Sequence, residues 1–210
     1  MRKPIIITGA GDHAKVLLDI LLENDFKVIG LTDKNIEKGT LVYGIPVIGD
    51  DNSVLEYNPQ EITLVNGIGS IKDLNLRSKV YIFFKSKGYT FCSVIHPSAV
   101  VSHRARLGEG VQILAGVVIN TDAKIGENSI INTNSTIEHD CHIGKNCHIA
   151  PGCTLSGGIF VNDSTHIGTG SSIIQGINIG KNVLVGAGSV VIRDIEDYSK
   201  VYGVPARKHE

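Results

Sequence analysis

Near the start of the chain, three residues have the types and spacing to hold a phosphorylated ligand. Gly9 and Gly11 lie in the loop Gly9-Ala10-Gly11-Asp12, directly after the apolar run Ile5-Ile6-Ile7. Glycines at a strand end let the backbone come close to a diphosphate and aim N–H groups at it. If residues 13–24 are helical, as apolar Ala14, Leu17, Leu18 and Leu21 on one face predict, the helix N-terminus adds unpaired N–H groups at the same place. Asp33 stands 22 residues beyond Gly11, after a second apolar run, and is placed to accept hydrogen bonds from a ribose or a base.

The elements that must position these residues read as strand, glycine loop, helix, strand, acid, which opens a nucleotide-binding parallel sheet. The spacing predicts strands over 4–8, 27–31 and 62–65, a helix over 74–87 that carries Arg77, and a strand over 90–95. Gly67-Ile68-Gly69 follows the third strand. An ordinary tight strand-to-helix turn has the same glycine pattern, and G-x-G-x-x-A also fits a nicotinamide dinucleotide. A full dinucleotide domain needs two such halves and well over about 100 residues. A different pattern begins here near residue 95, so there is room for one nucleotide.

That second pattern is a repeat. From Ile95 to Val191 every sixth residue is Ile, Leu or Val, seventeen positions in succession. If about a third of residues were aliphatic, chance would give this about once in 10⁸ tries. The fourth residue after each aliphatic is mostly small, as at Ala99, Ser135, Cys141, Cys147, Cys153 and Ser171. Glycine directly follows the aliphatic at Gly108, Gly126, Gly144, Gly168, Gly180 and Gly186, where a tight turn is expected to need positive φ. Hexapeptide periodicity of this kind is the signature of a parallel β-helix. Three cysteines fall on its small inward position, so they are expected to be buried spacers; no CxxC spacing points to zinc or redox exchange.

His142, His148 and His166 each stand five residues after an aliphatic, and the last two are 18 residues apart, which stacks them on one face. A metal between such histidines is one reading, but the carboxylate and histidine spacings of β-helix zinc enzymes are not matched, so no metal is expected.

Taken together, the chain resembles the bacterial sugar acetyltransferases that include the sialic acid O-acetyltransferases and the N-acetyltransferases of UDP- and GDP-linked amino sugars, of the bacillosamine and perosamine type. The resemblance covers essentially the whole chain. Its pieces are Gly9-Ala10-Gly11-Asp12-His13-Ala14-Lys15, Asp33, Ile68-Gly69 with Arg77, the tract from Asn132 to Cys141, His148-Ile149-Ala150-Pro151-Gly152 and Gly203-Val204-Pro205-Ala206. It implies a left-handed, three-faced β-helix with three hexapeptides to an 18-residue coil, about six coils, and assembly as a homotrimer. It also implies direct acetyl transfer from acetyl-CoA to an amine or hydroxyl of a nucleotide-linked sugar, for surface polysaccharide biosynthesis.

By the same resemblance His139 is the general base, a role that an imidazole with a pKa near 6.5 suits, and Asp140 orients it where relatives often carry Glu. His148 and Gly157 are then contacts of acetyl-CoA near its thioester, Gly157 through its N–H. Thr169 and Ala187 line the pantetheine arm, and Arg207 and Lys208 either meet the CoA phosphates or form a solvated tail. Gly9, Gly11, Asp12, His13, Asp33 and Gly69 form the nucleotide-sugar site; Asp12 occupies a position that is commonly Gly. Two other readings are a non-catalytic nucleotide-sugar-binding module and an O-acetyltransferase of free sialic acid.

The bulk composition agrees with a folded chain and narrows its partners. Of 210 residues, 42% are hydrophobic and 20% charged, with 24 Gly and no Trp, so a core of small and aliphatic side chains is expected. A net charge of −1 leaves no broad basic field for nucleic acid or an anionic membrane. No apolar run approaches the roughly 18 residues of a membrane span, and the N-terminal run turns polar at Thr8, too early for a signal peptide, so a cytoplasmic protein is expected. The predicted organisation is a small Rossmann-like α/β nucleotide-sugar domain over 1–92, a left-handed β-helix over 93–197 carrying the acetyltransferase site, and a C-terminal tail over 198–210.

Overall fold

A computed structural model describes residues 2–69 and 75–209. The chain divides into two compact units, Met1–Val94 and Ile95–Glu210.

The first unit is built on a five-stranded sheet of order β3-β4-β2-β1-β5, with β1 Ile5–Thr8, β2 Val28–Thr32, β3 Leu41–Val42, β4 Ile45–Gly49 and β5 Thr63–Asn66. Strand β1 is flanked on both sides, parallel to β2 and β5, and buried at all four positions, which accounts for its apolar run. Helix α1, Asp12–Glu23, buries Ala14, Leu17, Leu18 and Leu21, the apolar face predicted for it. Gly67 allows α1 and β1 to approach: a Cβ there would stand 2.7 Å from Ile7 Cγ2 and 2.8 Å from Ala14 Cβ.

A hairpin and a short helix between Asp33 and residue 62 lie outside the predicted elements. Strand β3 runs antiparallel to β4, making the sheet mixed, and β4 runs parallel to β2. Tyr43 and Gly44 turn the hairpin with φ of 47° and 82°. A 3₁₀ helix over Asp51–Glu56 then packs Val54 with Tyr81, Phe84 and Tyr89, and the Tyr89 hydroxyl bonds the carbonyls of Val54 and Tyr57 at 2.9 and 2.7 Å. The helix expected over 74–87 is observed as α2, Leu76–Ser86, with residue 74 outside the described residues.

In the second unit each hexapeptide supplies a two-residue strand, and strands 18 residues apart pair in parallel, as Ile119 with Ile137 and Ile149 with Ile167. Three sheets of six, five and eight strands result. From Val101 to Val191 the second residue of each two-residue strand points inward, and from Ile113 to Val191 these residues form one buried aliphatic ladder, whereas Ile95 at the start of the repeat is exposed. The third sheet ends in Lys200–Tyr202 and Arg207–His209, an antiparallel pair beyond the last parallel strand.

Turn chemistry departs from expectation in an informative way. Positive φ falls not on the glycine directly after the aliphatic but two residues later, at Gly110, Asp122, Asn128, Asn134, Asp140, Gly152 and their equivalents. The glycines after the aliphatic answer a spatial need instead: a Cβ on Gly126 would stand 2.5 Å from the Gly144 carbonyl carbon, and one on Gly168 2.6 Å from the Ala187 nitrogen. They let successive coils stack.

The small inward residues do more than fill space. Ser129 donates to the Gly144 carbonyl at 2.8 Å and Thr165 to that of Gly180 at 2.7 Å. The thiols of Cys141, Cys147 and Cys153 do the same to Ser156, Asn162 and Gly168 at 3.1 to 3.2 Å. Each satisfies a carbonyl 15 residues on, which explains why Ser, Thr and Cys recur where a hydrocarbon would leave that carbonyl short of a donor. Burial pushes the Cys147 thiol up to about 12, so it stays protonated and able to donate.

Candidate functional site

In the first unit, the end of β1 and the loop after β2 meet at a cavity of about 340 Å³ lined by Gly9, Thr32, Asp33, Asp51 and Ile68 among others. Gly9 has φ 94°, the left-handed conformation its type was chosen for, and a Cβ there would crowd Ile68 at 3.2 Å. The Gly9 N–H donates to Thr32 Oγ1 at 3.3 Å, and Thr32 donates onward to Asp51 Oδ1 at 2.6 Å. Asp33 accepts from the Ala10 N–H at 3.4 Å and from the Asn35 N–H at 2.8 Å, so part of its capacity holds its own loops. Gly11, the N-cap of α1, has an extended backbone and open space where a side chain would stand.

Of the predicted nucleotide residues, Gly9 and Asp33 line the cavity; Gly11, Asp12, His13 and Gly69 do not. Asp12 is fully exposed and paired with Lys15 at 3.1 Å, which offsets its charge at the helix start. Gly69 lies against His13, a Cβ there reaching the His13 Cβ at 3.5 Å. Arg77, almost wholly buried, donates to the carbonyls of Asn66 and Ile68 at 2.8 Å each and so braces the loop after β5. Burial lowers its pKa to about 9, still well above neutral, so the guanidinium remains charged for these bonds. Thr32 and Asp51 are cavity residues that sequence reasoning passed over.

In the second unit, His139 sits at a corner between two faces. Its Nδ1 lies 2.8 Å from Asp140 Oδ2. A neutral imidazole that donates from Nδ1 leaves the Nε2 lone pair available, and Nε2 has no hydrogen-bond partner among the described residues. Asp140 occupies the left-handed turn position, φ 58°, so the coil's own need for Asn, Asp or Gly there places a carboxylate beside the ring. The pair is 60% and 65% exposed, so it adds little to stability and is accessible to a ligand. Directly under the ring is Gly157, whose N–H makes no hydrogen bond among the described residues. Beside it, Glu138 accepts from Asn120 at 2.9 Å.

His148 stands elsewhere, on a strand of the third sheet, 6% exposed, with Nε2 3.1 Å from Asn132 Nδ2 and its ring perpendicular to that of His166 at 4.9 Å. His142 is on another face, stacked on Phe160 at 4.7 Å. Among the described residues no group of three or more His, Cys, Asp or Glu is placed to hold a metal. Thr169 and Ala187 share one corner, where the Gly188 N–H donates to the Thr169 carbonyl at 2.8 Å, whereas His139 and Gly157 share the next, where the Gly158 N–H donates to the His139 carbonyl at 2.9 Å. One protomer therefore separates the predicted base from the predicted pantetheine contacts by the width of a face.

Comparison with known proteins fits both units. Residues 4–82 match the PglD N-terminal domain, and residues 122–157 the bacterial transferase hexapeptide of six repeats. A histidine-to-asparagine variant of perosamine N-acetyltransferase from Caulobacter crescentus, solved with CoA and GDP-perosamine, is 38% identical, with 99% of this chain and 97% of that one covered and a TM-score of 0.92. The chain belongs to the bacterial hexapeptide sugar acetyltransferases. The acetyltransferase domain of PglB from Neisseria gonorrhoeae, solved with acetyl coenzyme A, is similar over 100% of both chains at 29% identity and TM-score 0.92. WeeI from Acinetobacter baumannii is similar at 25% identity, covering 99% of this chain and 100% of that one, with TM-score 0.89. No curated protein matches the sequence. Within this sugar acetyltransferase no helix among the described residues is long and apolar enough to cross a membrane.

Proposed function

We propose that the chain transfers the acetyl group of acetyl-CoA to an amino group of a nucleotide-linked sugar. The observation that carries the reading is the His139–Asp140 pair set on Gly157, with Nε2 open, in a chain whose relatives hold CoA with GDP-perosamine or acetyl-CoA. His139 Nε2 takes a proton from the attacking amine, which adds to the thioester carbon. Asp140 keeps the ring proton on Nδ1 and favours the imidazolium that forms. The Gly157 N–H is available to the oxygen that becomes negative in the tetrahedral intermediate. Collapse of that intermediate breaks the C–S bond, and the imidazolium returns its proton to the CoA thiolate.

His148, Thr169 and Ala187 belong to the acetyl-CoA side of the site, and the Gly9–Asp33 cavity holds the nucleotide. Because the His139 and Thr169 corners are a face apart in one protomer, a homotrimer in which one copy's corner meets another's brings them together. Sedimentation velocity is expected to give a trimer at micromolar concentration. The activity test is incubation with acetyl-CoA and a panel of UDP-, GDP- and CMP-linked amino sugars, with released thiol as the signal. Thiol release with none of them, by trimeric protein that still binds acetyl-CoA, would overturn the reading; acetylation of free sialic acid alone would move the acceptor to a hydroxyl.

A further inference from the structure

We propose that Asn132 is a positioning residue that latches His148 in its neutral Nδ1–H tautomer, so that His148 faces the acyl donor as a fixed, uncharged ring and is barred from acting as the base. The argument begins at an atom whose role is unambiguous. The backbone N–H of Thr133 lies 2.8 Å from one end of the Asn132 amide, with the Thr133 hydroxyl at 3.3 Å from the same atom. A main-chain N–H can only donate, so that end of the amide is its oxygen and the other end its NH₂. The NH₂ lies 3.1 Å from His148 Nε2. An amide NH₂ can also only donate, so Nε2 must accept and the ring proton must sit on Nδ1.

The coil holds this geometry from both sides. Ile130 pairs with His148 in register, and the Asn132 N–H donates to the Ile149 carbonyl at 2.9 Å, which fixes the strand end from which Asn132 projects. His148 is 6% exposed, and His166 stands edge-on to it one coil further. Protonating His148 would set a second N–H against the Asn132 NH₂, two donors facing one another in a buried place. His166 is itself held below the usual histidine range by burial, so the neighbourhood favours neutral rings.

The two site histidines are thus held in the same tautomer by opposite means. At His139 a carboxylate takes the Nδ1–H and leaves the Nε2 lone pair open; at His148 an amide takes the Nε2 lone pair itself. Only the first can accept a proton from a substrate. That assignment uses geometry alone; the effect on acetyl-CoA binding rests on the reading of His148 as a donor-side contact.

The test uses the whole protein labelled with ¹⁵N-histidine, with His148 assigned by its loss in His148→Gln. Native protein is expected to show His148 protonated at Nδ1 and bare at Nε2 at neutral pH. Asn132→Asp is isosteric and keeps the Thr133 bond while turning a carboxylate oxygen to Nε2, so the proton is expected to appear there. Its acetyl-CoA dissociation constant, by calorimetry, is expected to rise about tenfold, the worth of one hydrogen bond. Asn132→Ala should give a mixture of tautomers with correct folding by circular dichroism. A native His148 protonated at Nε2, or an unmoved tautomer in Asn132→Asp, would overturn the latch. A moved tautomer with unchanged acetyl-CoA affinity would uphold the latch and overturn the donor-side role of His148.

Discussion

The imidazole of His139 rests on the backbone of Gly157, one 18-residue coil away: a Cβ built on Gly157 would stand 2.6 Å from both Cε1 and Nε2 of the ring. The ring is exposed, so an added methyl would push it into solvent at small cost to the fold. Gly157→Ala should therefore melt within a few degrees of the parent, since surface changes of this kind stay within about 0.5 kcal/mol. Displacing the proposed base from the attacking amine is expected to lower kcat about 10- to 100-fold. Steady-state kinetics beside thermal melting checks this, and unchanged kcat would mean that the ring does no work in its present place.

Removing the proposed base outright should cost more. His139→Ala is expected to lower kcat by about 10² to 10⁴, the usual worth of a positioned general base, with little change in acetyl-CoA affinity, because proton removal is needed only as the amine attacks. Asp140→Asn should cost less, since it leaves the imidazole and weakens only its orientation and basicity. Raising the pH supplies free amine and should partly rescue His139→Ala; a hydroxyl acceptor would show no rescue. Near-normal turnover of the alanine variant at neutral pH would place the base elsewhere.

The β-helix could be read from sequence because its period is local and strict: each hexapeptide repeats the same aliphatic position from Ile95 to Val191, and all but the exposed Ile95 at the start face the core. The pairing of His139 with Asp140 was also within reach, being between neighbours in sequence. What escaped depended on residues 15 to 18 apart or on short elements. The Cys and Ser donors look like spacers until the carbonyl of the next coil is seen above them, as Cys153 below Gly168. The positive φ at Asn128 and Asp140 was hidden because glycine at Gly126 drew attention to the wrong turn position, though the recurring Asn, Asp and Gly three places after the aliphatic was there to find. The hairpin β3–β4 turns at Tyr43-Gly44, which lacks the Asn-Gly or Asp-Gly signal, and so Asp51 and its bond to Thr32 went unnoticed with it.

In the loop that opens on the proposed nucleotide cavity, the two glycines should answer mutation differently. Gly9 has φ 94° and a crowded Cβ position, so any side chain there strains the fold; Gly11 has φ −77° and nothing within 4 Å. Gly11→Val should thus fold, with about 1 kcal/mol lost at the helix cap; Gly11 caps α1 two residues from Gly9 without lining the cavity, so the valine should act by hindering a diphosphate from reaching the helix N-terminus. Acceptor binding is expected to weaken at least about tenfold with acetyl-CoA binding intact, because the proposed function assigns the two ligands to different units. Calorimetry with each ligand separates the effects, and equal loss of both in folded protein would refute the division of labour.

Acid sensitivity should trace in part to His166. Its ring is largely buried, Nδ1 has no hydrogen-bond partner among the described residues, and burial holds its pKa below the usual 6.5. In the unfolded chain the same ring takes up a proton near pH 6.5, so below that pH the unfolded state binds more protons than the folded one. The sign follows: stability from this group is fully present above about pH 6.5 and is lost as the pH falls toward the folded pKa. His166→Phe keeps a flat ring against His148, removes the titration and removes the orphaned nitrogen, whose desolvation is unrepaid in the native protein. Both proteins should melt lower in acid, since carboxylates titrate in each, so the difference between them is the measurement. The phenylalanine variant is expected to gain on the native protein as pH falls from about 7.5 to about 5.5. A constant difference in melting temperature across that range would show that His166 takes up its proton in the fold as easily as in the open chain, and that its burial carries no electrostatic cost.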